Sequence, residues 1–413
     1  MFPNYLEEVL SDKRNRIVLL VLVVFVFFAA ISAYTTVLGW DEGSYLMNAQ
    51  YFIGEGENVA FEWPFFTPGL VAAAWLITGE SVIVGRFISI LFGGTALVAF
   101  YMICKDRFDS PIYPFGLLAL APLFVFWSSQ IMTEAAAFLF LFLSLYFLER
   151  KRPLVAGVLM GITASIRYVF VIFGLAFLVS YIVRKDRETW KYVVGALLGA
   201  IPFFIYSHVW HGGVFSIVID YISSDAPWSG FLSQFVTDNT KKFFILYIPL
   251  LPAVVLGWKR SPVVDKLSVL MYSVFLVLFV GVSYYRYWLP VMPFMVMIAY
   301  RGLDKRKFVA LGLVFVAISG FVVYDYAQER TLCRDELYEA HEFLMGHEGA
   351  VVSTVHWTIT GYRVDREVYA PWQDYESFKE YNVTHILTDG GLDYPVEAHY
   401  PNCGYRVYRL QEL

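Results

Sequence analysis

Long apolar runs punctuated by short polar clusters set the pattern of this chain from Ile17 to Tyr326. Ile17–Val37, Ser81–Ile103, Ile112–Trp127 and Thr133–Leu148 each read as a helix crossing a hydrocarbon core. Leu154–Val183 is longer than one crossing needs and has basic clusters on both flanks. It predicts two short helices in a hairpin, with Ser165, Arg167 and Tyr168 near the tip. Tyr192–Val209, Phe243–Trp258, Leu267–Tyr284, Trp288–Tyr300 (broken by Pro290 and Pro293) and Phe308–Tyr324 complete the series. The expected architecture is mainly α, a polytopic membrane bundle of about eleven transmembrane helices.

Two segments depart from the spanning pattern. Between the first two spans, Glu42–Ile53 predicts a short helix lying on the surface, and Pro68–Thr78 an apolar juxtamembrane or re-entrant helix too short to cross. From Glu329 onward the composition becomes that of a soluble domain. Helices are predicted over Asp335–Met345 and Asp374–Tyr381, and strands over Ala350–Thr354, Thr384–Thr388 and Tyr405–Leu410. The expected division is a transmembrane domain over 1–328, with its outer loop at 38–80, and a small α/β domain over 329–413. Asp389-Gly390-Gly391 reads as a turn and not a phosphate loop, and Asn382-Val383-Thr384 is a glycosylation sequon.

Lysine and arginine placement orients the spans. Lys13, Arg14 and Arg16 precede the first, and basic clusters follow at Lys105/Arg107, Arg150–Arg152, Lys259/Arg260 and Arg301–Lys307. From Ile17 to Gly85 there is no Lys or Arg, whereas Asp41, Glu42, Glu55, Glu57, Glu62 and Glu80 all occur. The N-terminus is therefore expected inside, and the first loop and the C-terminal domain outside the cytoplasm of a cell membrane.

Only 16% of residues are charged and 58% are hydrophobic, against about a quarter charged in soluble domains. That excludes a soluble enzyme and a disordered chain, and no basic run points to nucleic acid. The three cysteines match no metal spacing. Cys333 and Cys403 share the C-terminal segment, where a disulfide and two free thiols are equally compatible readings.

Ionisable residues at membrane depth need a reason. Sorted by this topology, Asp41, Glu42, Arg86, Glu134, Arg167 and Arg286 all fall near the outer edge of the bilayer. One account is purely structural: Arg86 pairs with Glu134, the other arginines snorkel, and Asp41 is solvated. The other is chemical, because a carboxylate beside several arginines suits a hydroxyl losing its proton while a phosphate leaves.

Trp40-Asp41-Glu42-Gly43-Ser44-Tyr45, Glu62-Trp63-Pro64 to Pro68-Gly69-Leu70 and Val84-Gly85-Arg86-Phe87 resemble the first-loop pattern of GT-C glycosyltransferases. Met132-Thr133-Glu134-Ala135, Gly157 to Arg167 and Arg286-Tyr287-Trp288-Leu289-Pro290 fit the same superfamily. The protein O-mannosyltransferases of glycosyltransferase family 39 and the bacterial aminoarabinose transferases are the relatives in view. The resemblance implies transfer of a sugar, mannose among the candidates, from a polyprenyl- or dolichyl-phosphate donor to a protein, lipid or glycan hydroxyl. It implies inversion at the anomeric carbon with Asp41 as base and Glu42 in support. It also implies Arg86, Arg167 and Arg286 at the donor phosphate, and Tyr45, Trp63, Glu134 and Tyr287 at the substrate. No metal is expected to be obligatory, although a divalent cation at Asp41 and Glu42 stays open. The chain departs from the aminoarabinose pattern at Thr67-Pro68-Gly69-Leu70, which has no lysine before the proline. A transporter or lipid flippase with a charged vestibule is the competing class, but internal repeats and midplane charges are missing. A third reading is an inactive assembly partner of such a transferase.

Overall fold

A computed structural model describes residues 12–36, 38–56, 64–185, 187–216, 228–279, 284–331, 334–347, 350–353, 357–364, 368–369, 383–388, 396–400 and 405–409. The chain divides into two compact units, Met1–Ala33 with Ser89–Val323, and Tyr34–Ile88 with Tyr324–Leu413. The first loop thus groups with the C-terminal segment, a cut different from a division at residue 328. The two readings of Cys333 and Cys403, the helix over Asp374–Tyr381 and the sequon at Asn382 fall at residues outside this description.

The first unit is helical. In chain order the helices are α1 (Lys13–Thr35), then α4 (Val82–Arg107), α5 (Ile112–Ala119), α6 (Pro122–Ser128), α7 (Thr133–Glu149), α8 (Pro153–Ile166) and α9 (Val171–Val183). They continue as α10 (Thr189–Gly199), α11 (Ile201–His211), α12 (Trp228–Tyr247), α13 (Leu251–Trp258), α14 (Val263–Phe279), α15 (Met292–Gly302) and α16 (Lys305–Thr331). α2 (Trp40–Ile53) and α3 (Phe66–Thr78) belong to the other unit.

Three described helices are long and apolar enough to cross a membrane, or up to six spans if each bent pair counts as one. Three expected single spans are broken: Ile112–Trp127 into α5 and α6, Tyr192–Val209 into α10 and α11, which meet at 40°, and Phe243–Trp258, where the last part of α12 meets α13 at 85°. α6 and α7, expected as parts of separate spans, meet at 111°. Proline explains where helices begin anew: Pro122, Pro202 and Pro252 each stand in the first turn of α6, α11 and α13, where a missing N–H costs nothing. Ile112–Trp127 is accordingly two short helices. The Leu154–Val183 hairpin is present, as α8 and α9 joined through Arg167 and a 3-10 turn at Tyr168–Phe170.

Two helix contacts are made by backbone. A Cβ on Gly157 would stand 2.1 Å from the Tyr192 carbonyl, and on Gly161 2.1 Å from that of Ala196. From the other side, one on Gly195 would stand 2.3 Å from the Leu154 carbonyl, and on Gly199 2.0 Å from that of Val158. α8 and α10 therefore carry facing Gly-x-x-x-Gly pairs, the device by which helices approach closely where apolar surroundings supply no hydrophobic drive. Gly257 of α13 and Gly302 of α15 repeat it, 1.9 Å from the Ile298 carbonyl and 2.1 Å from that of Ala253. Aromatic packing joins α9, α14 and α15: the Phe173 ring stacks on Tyr272 at 4.6 Å and on Phe294 at 5.3 Å.

At one end of this unit four charges interlock. Arg107 of α4 pairs with Glu149 of α7 and, at 2.8 Å, with Asp265 of α14, and Asp265 also binds Arg301 of α15 at 3.0 Å. Asp265 is fully buried. The basic residues that mark successive turns in the sequence are thereby brought to a common end. α7 places this network about 24 Å from its own first turn.

In the second unit the strands pair in the order β2-β1-β3-β5-β4. They are β1 (Ala350–Ser353), β2 (Val368–Tyr369), β3 (Val383–Thr388), β4 (Val396–Tyr400) and β5 (Tyr405–Arg409). β2, β1 and β3 run parallel, and β5 and β4 extend the sheet antiparallel. α17 (Arg334–Met345) covers it with Leu337, Ala340 and Leu344, which pack on Val351, Val368, Leu387 and Val407. α18 (Trp357–Arg363) connects β1 to β2 and packs on α2, which also packs on α3.

Gly161→Leu should lower stability by about 3 kcal/mol or more, because a side chain aimed at a backbone carbonyl has no rotamer that escapes it. Gly116→Ala, where the added Cβ meets nothing within 4 Å, should be neutral or slightly stabilising. Asp265→Asn should cost about 3–5 kcal/mol by leaving buried arginine charge uncompensated. Thermal unfolding in detergent reads all three.

Candidate active site

In the second unit the site begins at the first turn of α2. Glu42 is fully buried and accepts two hydrogen bonds from one guanidinium, Arg86 Nε at 3.0 Å and Arg86 Nη2 at 2.9 Å. Its Oε2 also accepts the Gly39 backbone N–H at 2.9 Å, closing the N-terminus of the helix. Arg86 Nη1 donates to the Thr36 carbonyl at 2.8 Å. This fork-on-fork pair ties the start of α2 to α4, across a separation of 44 residues. Asp41 precedes it, 9% exposed, at the helix end where the backbone dipole favours an anion.

Every residue from Asp41 to Ala49 is buried. The expectation of a surface-lying α2 is thus corrected: its polar positions face neighbours, with α3 and α18 packed against the helix.

In the first unit a second group converges. Arg167, extended at the end of α8, reaches Glu134 in the first turn of α7 at 3.0 Å and donates to the Thr133 hydroxyl at 3.0 Å. Arg286 stands in the 3-10 turn Tyr285–Val291, and its guanidinium lies 5.1 Å from the ring centre of Tyr287, 5.4 Å from Tyr284 and 5.6 Å from Trp127. Arg286 also donates to the Tyr287 hydroxyl at 3.4 Å, and Arg167 lies 5.8 Å from the same ring. Tyr287 thereby joins the two guanidinium groups. Such rings accept cations on their faces at little desolvation cost.

The alternative pairing read from the sequence, Arg86 with Glu134, is replaced by Arg86 with Glu42 and Arg167 with Glu134. Other expected roles change with burial. Tyr45 is 1% exposed, so it packs inside and offers no face to a substrate. Trp288 is 1% exposed, held by Phe243, with its carbonyl accepting the Tyr247 hydroxyl at 2.6 Å. Glu42, with both oxygens engaged by Arg86, positions α2 and is not placed to take a proton. Arg86 likewise donates to Glu42 and to the Thr36 carbonyl, which makes it part of the hold on α2. Trp63 falls at a residue outside the description.

Lys242 of α12 is the cation that sequence reasoning missed. Its ammonium lies 5.5 Å from the ring centre of Tyr285 and 6.0 Å from that of Tyr284, so Lys242 and Arg286 flank the same tyrosine. The signal was present in the aromatic run Tyr284-Tyr285-Arg286-Tyr287, which needs cations to face. Among the described residues no three His, Cys, Asp or Glu side chains group as a metal site.

The fold that holds these residues is one already seen in solved structures. The family model described as dolichyl-phosphate-mannose-protein mannosyltransferase matches residues 62–211, which include Arg86, Glu134 and Arg167. Among solved structures, ArnT from Cupriavidus metallidurans bound to undecaprenyl phosphate is similar over 95% of this chain and 97% of its own, with a TM-score of 0.69 at 14% identity. The apo state of that protein covers 96% and 98%, with a TM-score of 0.67 at 12% identity. No curated protein sequence matches the chain significantly.

Glu42→Ala should destabilise the protein by about 3–5 kcal/mol, since Arg86 would stay buried without its counter-charge. Asp41→Asn should shift the unfolding midpoint much less. Thermal melts of the two variants side by side separate the paired carboxylate from its neighbour.

Proposed function

We propose that the chain is a membrane glycosyltransferase that moves a sugar from a polyprenyl-phosphate carrier to an acceptor hydroxyl at the extracytoplasmic face of a cell membrane. The observation that carries this reading is the near-complete overlap with a fold whose solved example holds undecaprenyl phosphate. The cluster of Arg167, Arg286 and Lys242 at the tyrosines supports it, because a departing phosphate needs positive charge already in position.

In this reading Asp41 takes the proton of the acceptor hydroxyl as its oxygen attacks the anomeric carbon. The bond from that carbon to the phosphate oxygen breaks, and the carrier leaves as a phosphate monoester, with inversion at carbon. Arg286 and Lys242 hold the leaving phosphate. Arg167, engaged with Glu134, orients Tyr287 beside it. Arg86 acts one step back, fixing α2 through Glu42. Mannose fits the matched family description and is the sugar to try first. The acceptor is a protein, lipid or glycan hydroxyl.

Purified protein given radiolabelled polyprenyl-phosphate mannose should release free carrier phosphate. Asp41→Asn should lower that rate at least about a hundredfold with the fold retained, and Arg286→Ala and Lys242→Ala each about tenfold or more. Normal turnover by Asp41→Asn refutes the assignment of the base. Labelled solute crossing sealed vesicles, with no carrier phosphate released, replaces the transferase with a transporter.

A further inference from the structure

We propose that the C-terminal α/β segment is a positioning element, holding helix α2 in place through Tyr362 of α18. This rests on the proposed transfer reaction for its consequence, because α2 carries Asp41. The coupling itself stands on packing within the second unit.

α18 is bound on two sides. Toward its own sheet, Ile359, Thr360 and the following Val364 are buried. The Thr360 hydroxyl meets His341 Nε2 at 3.0 Å and Ser353 Oγ at 3.2 Å. Toward the first loop, the Tyr362 ring stacks on Trp75 of α3, with centres 6.5 Å apart and planes 24° from parallel. The Trp75 indole N–H in turn donates to the Ser81 carbonyl at 2.9 Å, fixing the turn between α3 and α4.

Glu80 in that turn is the meeting point. Its Oε1 accepts Gln50 Nε2 of α2 at 2.9 Å, and its carboxylate shares a hydrogen bond with the Tyr362 hydroxyl. Gln50 Nε2 also lies 3.5 Å from the Tyr362 carbonyl. Burial, and then the neighbouring Glu80, push the Tyr362 phenol above the ordinary tyrosine range, so it stays a donor to the carboxylate.

α2 is consequently held at both ends. Glu42 and Arg86 grip its first turn, while Gln50, Glu80 and Tyr362 grip its last. A helix of 14 residues has little stability of its own, so its position is whatever its neighbours impose. Tyr362 sits about 13 Å along the helix from Asp41, too far to touch reacting atoms. Releasing its end lets α2 pivot on the Glu42–Arg86 pair, and misplacing a catalytic group by about 1 Å can cost a hundredfold in rate.

The test uses the full chain in detergent or nanodiscs. Amide exchange in Tyr362→Ala should speed about tenfold or more across Trp40–Ile53, while α17 and β3 keep wild-type protection. Tyr362→Phe, which retains the stack, should recover most of the loss, and Gln50→Ala, cut from the α2 side, should loosen the same helix. With radiolabelled polyprenyl-phosphate mannose as probe, kcat of Tyr362→Ala should fall about tenfold with donor KM unchanged, the mark of geometry lost at the reacting centre. Wild-type exchange across α2 in Tyr362→Ala and Gln50→Ala overturns the proposal. So does a C-terminal segment that unfolds while α2 stays protected, or a loosened α2 with full kcat. A wild-type protein inert toward the probe counts against the transfer reading alone, and the exchange comparison still decides the coupling.

Discussion

A charge enclosed by apolar helices survives only beside its opposite, and that constraint organises this molecule. Removing one ion from water costs several kcal/mol after relaxation, and three buried carboxylates here have recruited guanidinium groups from other parts of the chain. Glu42 takes Arg86, Glu134 takes Arg167, and Asp265 takes both Arg107 and Arg301. The pairs need not add stability over an apolar substitute of equal shape. What they contribute is register: each fixes the height and rotation of one helix end against another far away in sequence.

The same constraint distinguishes the carboxylate–guanidinium pairs from the cations set against rings. Arg86 and Glu42 bind each other through two hydrogen bonds, and the Thr36 carbonyl and the Gly39 N–H meet the same pair. Arg286 and Lys242 lie against aromatic rings, a contact that favours a cation in an apolar setting. The neighbouring motifs therefore resolve into two carboxylate–guanidinium pairs and two cations set against tyrosines. The first loop and the C-terminal segment, which the sequence separates by more than two hundred residues, share one compact unit.

Much of this was legible beforehand. The apolar runs, the hairpin tip at Arg167, the strand at Thr384–Thr388 and the helix at Asp335–Met345 all follow from period and punctuation. Partner choice was not legible. Depth in the membrane can be read from a sequence, but lateral neighbours cannot, and Arg86 could not be told from its sequence to prefer Glu42 over Glu134. Pro122, Pro202 and Pro252 were visible, yet an apolar run continues through each, so hydropathy hid the breaks that backbone chemistry demands. Burial of α2 was hidden because its cover, α18, lies some three hundred residues later. Tyr45 misled for a related reason: an aromatic ring at an expected interface looks the same whether it meets a ligand or other side chains.

The Arg107–Glu149–Asp265–Arg301 knot has a further mechanical meaning. Four helices are laced together at one end, while the far end of α7 and the turn leading into α15 bear Glu134 and Arg286. A sheaf bound at its foot loosens first at its crown.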